Sequence, residues 1–194
     1  LYYYDNDYLL ALGRPYLFNE KENIVSDSLF FWPKKDSTSA KGDVVINNDT
    51  STITTNYFDY WTTDELYSFI ASGDAVMFME GDTVKGDYLS FLDSKNKFEI
   101  LGNASIARKS QKIIGESIIV DIEDTLVSMV TVNGNPKIFH SSKYNSIDSL
   151  LYNKYTDEMN GKLIKLFYED NKLKKSTILG MASSLYHVVN DNKD

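Results

Sequence analysis

The 194-residue sequence contains no cysteine. It therefore has no disulfide scaffold and no thiolate metal site, a composition compatible with export by a bacterium. It has only two histidines, His140 and His187, and neither stands at metal-ligand spacing or beside a candidate serine nucleophile. Basic residues are outnumbered, 20 against 28 acidic, and the net charge of −8 argues against nucleic acid or an anionic membrane surface as partner. No apolar run is long enough to cross a bilayer as a helix, and no long stretch has helical periodicity. The start, Leu1-Tyr2-Tyr3-Tyr4-Asp5, reads as strand, without the charged-then-apolar pattern of a signal peptide. A mature form or a fragment beginning inside a repeat would look like this.

What is present is a repeat. Gly13, Gly42, Gly73, Gly102, Gly134 and Gly180 recur in similar surroundings at spacings of 29, 31, 29, 32 and 46 residues. A period near thirty marks architectures whose units bury their apolar faces only by stacking on their neighbours. A second anchor keeps phase with the first, since Ile24, Val84, Ile53 and Ile113 each follow a glycine by 11 residues. Around both anchors apolar residues alternate with polar ones, the pattern of strands with one buried face. Polar clusters such as Asp36-Ser37-Thr38, Thr62-Thr63-Asp64-Glu65, Asp93-Ser94-Lys95-Asn96-Lys97 and Glu169-Asp170-Asn171-Lys172 read as hairpin turns.

The fold this predicts is all-β and antiparallel, a single elongated domain over 1–194 built from about six strand-pair repeats of roughly 30 residues. Each glycine is expected mid-strand on the inward face, where a missing side chain permits a bend or a close approach. An irregular insert covers about 139–157, with Ser146 to Tyr152 resembling a shifted second anchor and the last unit restarting at Met159-Asn160-Gly161-Lys162. The inward parity selects Leu17, Leu29, Phe31, Ile46, Phe58, Tyr60, Met77, Leu89, Phe91, Ile106, Ile118 and Ile138 as one apolar face.

Two recurring patterns carry a family resemblance. Val84-Lys85-Gly86-Asp87-Tyr88-Leu89-Ser90-Phe91 has the form I-x-G-D-x-L-x-Y, and it alternates with Gly102-Asn103-Ala104-Ser105-Ile106, of the form G-N-x-x-I. In this the chain resembles the OstA-like lipopolysaccharide-transport proteins, which comprise LptA, the periplasmic domain of LptC and the N-terminal domain of LptD. The C-terminal stretch from Asn160 to Ala182 looks most like the longer OstA-like proteins of Bacteroidetes-type bacteria. The resemblance implies a β-jellyroll of two facing sheets in a V, open at both ends, in the periplasm of a Gram-negative bacterium. It implies a lipopolysaccharide or related lipid as partner, with acyl chains in the trough lined by the twelve residues above. It also implies further jellyroll proteins paired head to tail through edge strands.

Six repeats of two strands, each about 4.8 Å from the next, would be roughly 50–60 Å long. Burial worth about 0.8 kcal/mol per methylene would hold a lipid while letting it slide. No cofactor is implied. An enzyme is not expected: Glu80/Asp82 and Glu123/Asp124 are acidic pairs of the kind that 28 acidic residues produce without a role, and Gly81 and Gly86 are not followed by the Lys-Ser/Thr of a phosphate loop. Asp27, Asp87 and Glu116 read as turn or solvent-facing residues. The alternative function is a structural or adhesive β-repeat module of an envelope assembly, with Trp32, Tyr57, Trp61 and Tyr88 as a contact surface for protein or glycan.

Overall fold

The computed structural model describes residues 2–4, 7–18, 22–63, 66–108, 110–141 and 156–186. Its elements are β1 (Tyr2–Tyr4), β2 (Leu9–Leu12), β3 (Tyr16–Phe18), β4 (Glu22–Val25), β5 (Ser28–Trp32), β6 (Ser37–Asn48), β7 (Ser51–Thr63), β8 (Leu66–Met79), β9 (Asp82–Leu92), β10 (Lys97–Ala107), β11 (Gln111–Glu123), β12 (Leu126–Asn133), β13 (Lys137–Ser141), β14 (Thr156–Asn160), β15 (Leu163–Glu169), β16 (Lys172–Leu179) and β17 (Ser183–Leu185).

Strands β6 to β11 pair with their sequence neighbours in an antiparallel ladder. At each end the ladder forks. One half of β6 pairs with β4 and the other with β5; likewise β11 pairs with β13 through one half and β12 through the other. The fork defines two half-sheets. The first contains β3, β4, β13, β14 and β17, the second contains β1, β2, β5, β12, β15 and β16, and the long strands run through both. The pairing of β13 with β14 brings the two flanks of 142–155 together; the shifted anchor at Ser146 to Tyr152 lies outside the described residues.

The line between the half-sheets is a row of register breaks, at Lys41/Val44, Thr54/Tyr57, Ser72/Ala75 and Leu101/Ala104 in the long strands. Bulges of this kind bend a strand and let one sheet turn back on itself. All six recurring glycines lie on this line with positive φ, and the residue after each, Arg14, Asp43, Asp74, Asn103, Asn135 or Met181, is left-handed too. Two consecutive left-handed residues are costly without glycine, which explains why the glycine recurs.

The structure corrects the expected direction of these glycines. A Cβ on Gly73 would lie 2.9 Å from Asn56 Cβ, and one on Gly102 would lie 2.9 Å from Asp87 Cβ. Asn56 and Asp87 are exposed, so the open side of the glycine faces outward, beneath a polar side chain of the neighbouring strand. The reason is that a left-handed pair interrupts the pleat, and parity cannot be counted through it. The inward positions on the line are Pro15, Ser26, Val44, Thr55, Ala75, Gly86, Ala104, Gly115 and Pro136, all buried. Gly86 is there because space is short: a Cβ would come within 2.8 Å of Ile100 Cγ2.

Three of the four expected polar clusters, at Asp36, Asp93 to Lys97 and Glu169 to Lys172, hold turns, and the fourth lies partly outside the described residues, at 64–65. Pro33–Lys35 and Asp93–Lys95 form single 3₁₀ turns closed by left-handed Asp36 and Asn96. Glu80-Gly81, Asp124-Thr125 and Asp170-Asn171 have positive φ at both central residues, the turn whose twist matches a hairpin.

Candidate functional site: the groove between the half-sheets

Facing residues in adjacent antiparallel strands share a face, so the register builds rows across the molecule. On the first half-sheet one row runs Leu17, Ile24, Ile46, Ile53, Met77, Val84, Ile106, Ile113, Ile138, Met159. On the second, the row nearest the bend runs Ala11, Leu29, Ala40, Phe58, Ala71, Leu89, Ile100, Ile118, Val132, Ile164, Ile178. The next row out runs Leu9, Phe31, Thr38, Tyr60, Phe69, Phe91, Phe98, Val120, Val130, Leu166, Ser176. The buried members of the three rows, apart from Ala11 and Thr38, belong to one continuous hydrophobic cluster.

All twelve residues expected on one face fall in these rows. Leu29, Ile46, Phe58, Leu89, Ile106, Ile118 and Ile138 are buried, and Phe31, Tyr60, Met77 and Phe91 are half-buried. Leu17, on the edge strand β3, is 37% exposed because among the described residues β3 pairs with β4 alone and no strand lies beyond it at the end of the row.

Free space lies between the half-sheets toward the C-terminal end. One void of about 320 Å³ is lined by Met79, Glu80, Asp82, Ile106 and Ile113 on one side and by Val120, Thr125, Val127, Val130, Tyr168 and Asn171 on the other. A second, of about 470 Å³, is lined by Ile138, His140, Asp157 and Met159 on one side and Leu173 and Ser176 on the other, with Tyr186. Arg108, at the end of β10, borders both voids, and its Nε donates to Asp82 Oδ2 at 2.8 Å. Burial raises the pKa of the Tyr168 phenol, and the positive charge of Arg108 across the groove opposes that rise.

Of the twelve, Ile106 borders the first void and Ile138 the second. Sequence reasoning missed Arg108, Val127, Val130, Tyr168, Met159 and Leu173 as groove residues. Val130 shares parity with Val132, so a signal existed for it; Arg108 and Tyr168 meet only through the facing of the two half-sheets, which no spacing encodes.

Asp27, Asp87 and Glu116 are exposed, as expected. Asp87 accepts from Asn103 Nδ2 at 3.3 Å through both carboxylate oxygens, so the two recurring motifs meet across neighbouring strands. On the outer face Trp32, Tyr57, Trp61 and Tyr88 are half-buried. Trp32 stacks on Phe30 and Lys41 lies over the Phe30 and Tyr57 rings. His140 is exposed; His187 lies outside the described residues.

Comparison with known proteins matches this geometry. The structure resembles LptH, the LptA-homologous periplasmic component of the lipopolysaccharide transport device from Pseudomonas aeruginosa. The TM-score is 0.50 at 16% identity, covering 58% of this chain and 82% of LptH; at that identity the likeness shows the fold. No curated protein sequence matches the chain. The family model described as LptA/(LptD N-terminal domain) LPS transport protein matches residues 23–125, more than half the sequence and the stretch that holds the uninterrupted ladder. The chain therefore belongs to the LptA/LptD N-terminal-domain family of lipopolysaccharide transport proteins.

Proposed function

We propose that this protein is a periplasmic bridge that carries lipopolysaccharide, or a related lipid, with acyl chains held between the two half-sheets and sugars outside. The observation that carries the reading is the pair of voids between the half-sheets, each lined in part by apolar side chains from both, beside three rows that are apolar but for Thr38 and Ser176. Acyl chains gain about 0.8 kcal/mol per methylene from such a wall, and a wall made of rows has no pocket to fix them at one point. The role is transport and not catalysis. Edge strands remain for head-to-tail pairing with other jellyrolls: β3 presents Tyr16 and Phe18 exposed at one end, and β16 presents a lysine-rich edge at the other.

Photocrosslinking tests the reading. Benzoylphenylalanine is placed at Ile106 or Tyr168, on opposite walls of the void, and at outward, exposed Lys85 as control, in cells making lipopolysaccharide. Lipid adducts are expected from the two groove sites and not from Lys85. Protein adducts alone, or none, would move the reading to an envelope scaffold.

A further inference from the structure

Beyond the apolar row of the first half-sheet, the inner face turns polar. Asp82 and Arg108 stand two residues from Val84 and Ile106, and Gln111, His140 and Asp157 stand two residues from Ile113, Ile138 and Met159. Strand alternation puts all five on the face of those apolar residues, one step nearer the lip of the V. The voids agree with this count: Asp82 and Arg108 line the first, and Arg108, Gln111, His140 and Asp157 line the second. Across the same voids stand Val127, Tyr168 and Leu173, so the facing lip is largely apolar.

Arg108 is the one lysine or arginine among the described residues that line the voids, and it borders both. Its Nε is engaged, donating to Asp82 Oδ2 at 2.8 Å. The two Nη groups make no hydrogen bond among the described residues, and the side chain is 47% exposed. A guanidinium held through Nε keeps the end of its fork open, and that end matches two oxygens of one oxyanion. Arg108 also acts on the Tyr168 phenol across the groove, which places the cation at the mouth between the lips.

We infer that Arg108 is the head-group subsite of the groove: its open fork takes an anionic oxygen group, a phosphate or a carboxylate, of an amphiphile whose chain lies between Ile106 and Val130. The inference rests on the lipid-groove reading and names the class of head group that the groove selects. A net charge of −8 repels anions at long range, so selection for one has to come from a local cation. Asp82 holds that cation at the lip, and its own charge keeps the grip on an anion weak. An exposed ion pair of this kind costs little to rearrange. The subsite lies beside the apolar rows and not across them, so a head group is oriented there while the rows stay open for passage.

The test is calorimetric titration of the 194-residue chain with decyl phosphate and with uncharged decyl maltoside, both below their micelle concentrations, and with inorganic phosphate. The parent chain should bind decyl phosphate about tenfold more tightly than decyl maltoside, the lower end of what hydrogen bonds to a charged group contribute. In Arg108→Gln that ratio should fall about tenfold; Arg108→Lys, which keeps the charge and loses the fork, should retain only part of it. Equal affinities in the parent chain, or an unchanged ratio in Arg108→Gln, overturn the subsite while leaving the lipid groove standing. Inorganic phosphate binding as tightly as decyl phosphate also overturns it, since the anion would then be held without a chain in the groove. Failure of both amphiphiles to bind the parent chain overturns the groove itself, and the subsite with it.

Discussion

At the scale of single residues, the recurring glycine is held by two separable effects, and Gly102 and Gly81 isolate them. Gly81 has φ +90 and nothing within 4 Å of a notional Cβ, whereas Gly102 has φ +69 and the Asp87 side chain over it. Gly81→Ala meets only the left-handed penalty, about 1–2 kcal/mol. Gly102→Ala also pushes Asp87 off its bond with Asn103, and about 1 kcal/mol more is expected from that lost interaction. Urea denaturation of the two variants should rank Gly102→Ala as the less stable; equal losses would mean that Asp87 moves aside freely. Tyr168 gives a second test. Burial raises its folded pKa, with Arg108 partly offsetting the rise, so the phenol's contribution is fully present below the unfolded value near 10. That contribution is lost as pH climbs through the higher folded value. Tyr168→Phe should therefore lose less stability than the parent chain between pH 9 and 11, measured as denaturation midpoints. Parallel curves would show that the phenol is not shielded.

Among the elements, the strands were legible from sequence wherever alternation ran unbroken. Leu29 and Phe31, Phe58 and Tyr60, and Leu89 and Phe91 share the inward parity, and each pair is on the inner face. Parity failed at the left-handed pairs, where Gly42-Asp43 or Gly102-Asn103 takes two residues across the bend, and it therefore put the glycines on the wrong side. Burial along a row was not legible either, because it depends on how many strands lie beyond: Ile100 is fully buried in mid-ladder, while Leu17 at the end of its row is not. The same logic predicts a gradient of truncation costs. Ile100→Ala should cost about 2–5 kcal/mol, in the range of a filled core site. Ile178→Ala, in the same row but half-buried on β16, should cost less than half as much by urea denaturation. Equal costs would indicate that β16 is covered in solution. Edge protection belongs to the same strand, where Lys172, Lys174 and Lys175 are exposed and among the described residues β16 pairs with β15 alone. Lysines on an open edge discourage indiscriminate pairing, while the exposed Tyr16 and Phe18 of β3 leave the other end more adhesive.

For the whole molecule, the repeat period announced a stack of strand pairs, but not where along the groove the two voids would lie. That follows from the sizes of side chains facing each other across the V, such as Phe98 and Val120 on one wall against Ile106 on the other. Residues far apart in the chain meet there, and no local pattern in the sequence records the pairing. A ligand in the groove should therefore be felt by both walls at once. A bound amphiphile at a hundred times its dissociation constant stabilises the fold by about 2.7 kcal/mol through linkage alone. Because the void is bounded by β10 and β11 on one half-sheet and by β11, β12 and β15 on the other, amide exchange should slow together around Ile106 and Ile113 and around Val130 and Leu166. The edge strand β3, far along the row from the void, should change least. Protection confined to one half-sheet would place the amphiphile on an outer face, and the V would then be a core and not a conduit. Protection of both would tie the stability of the whole jellyroll to the filling of the groove between its half-sheets.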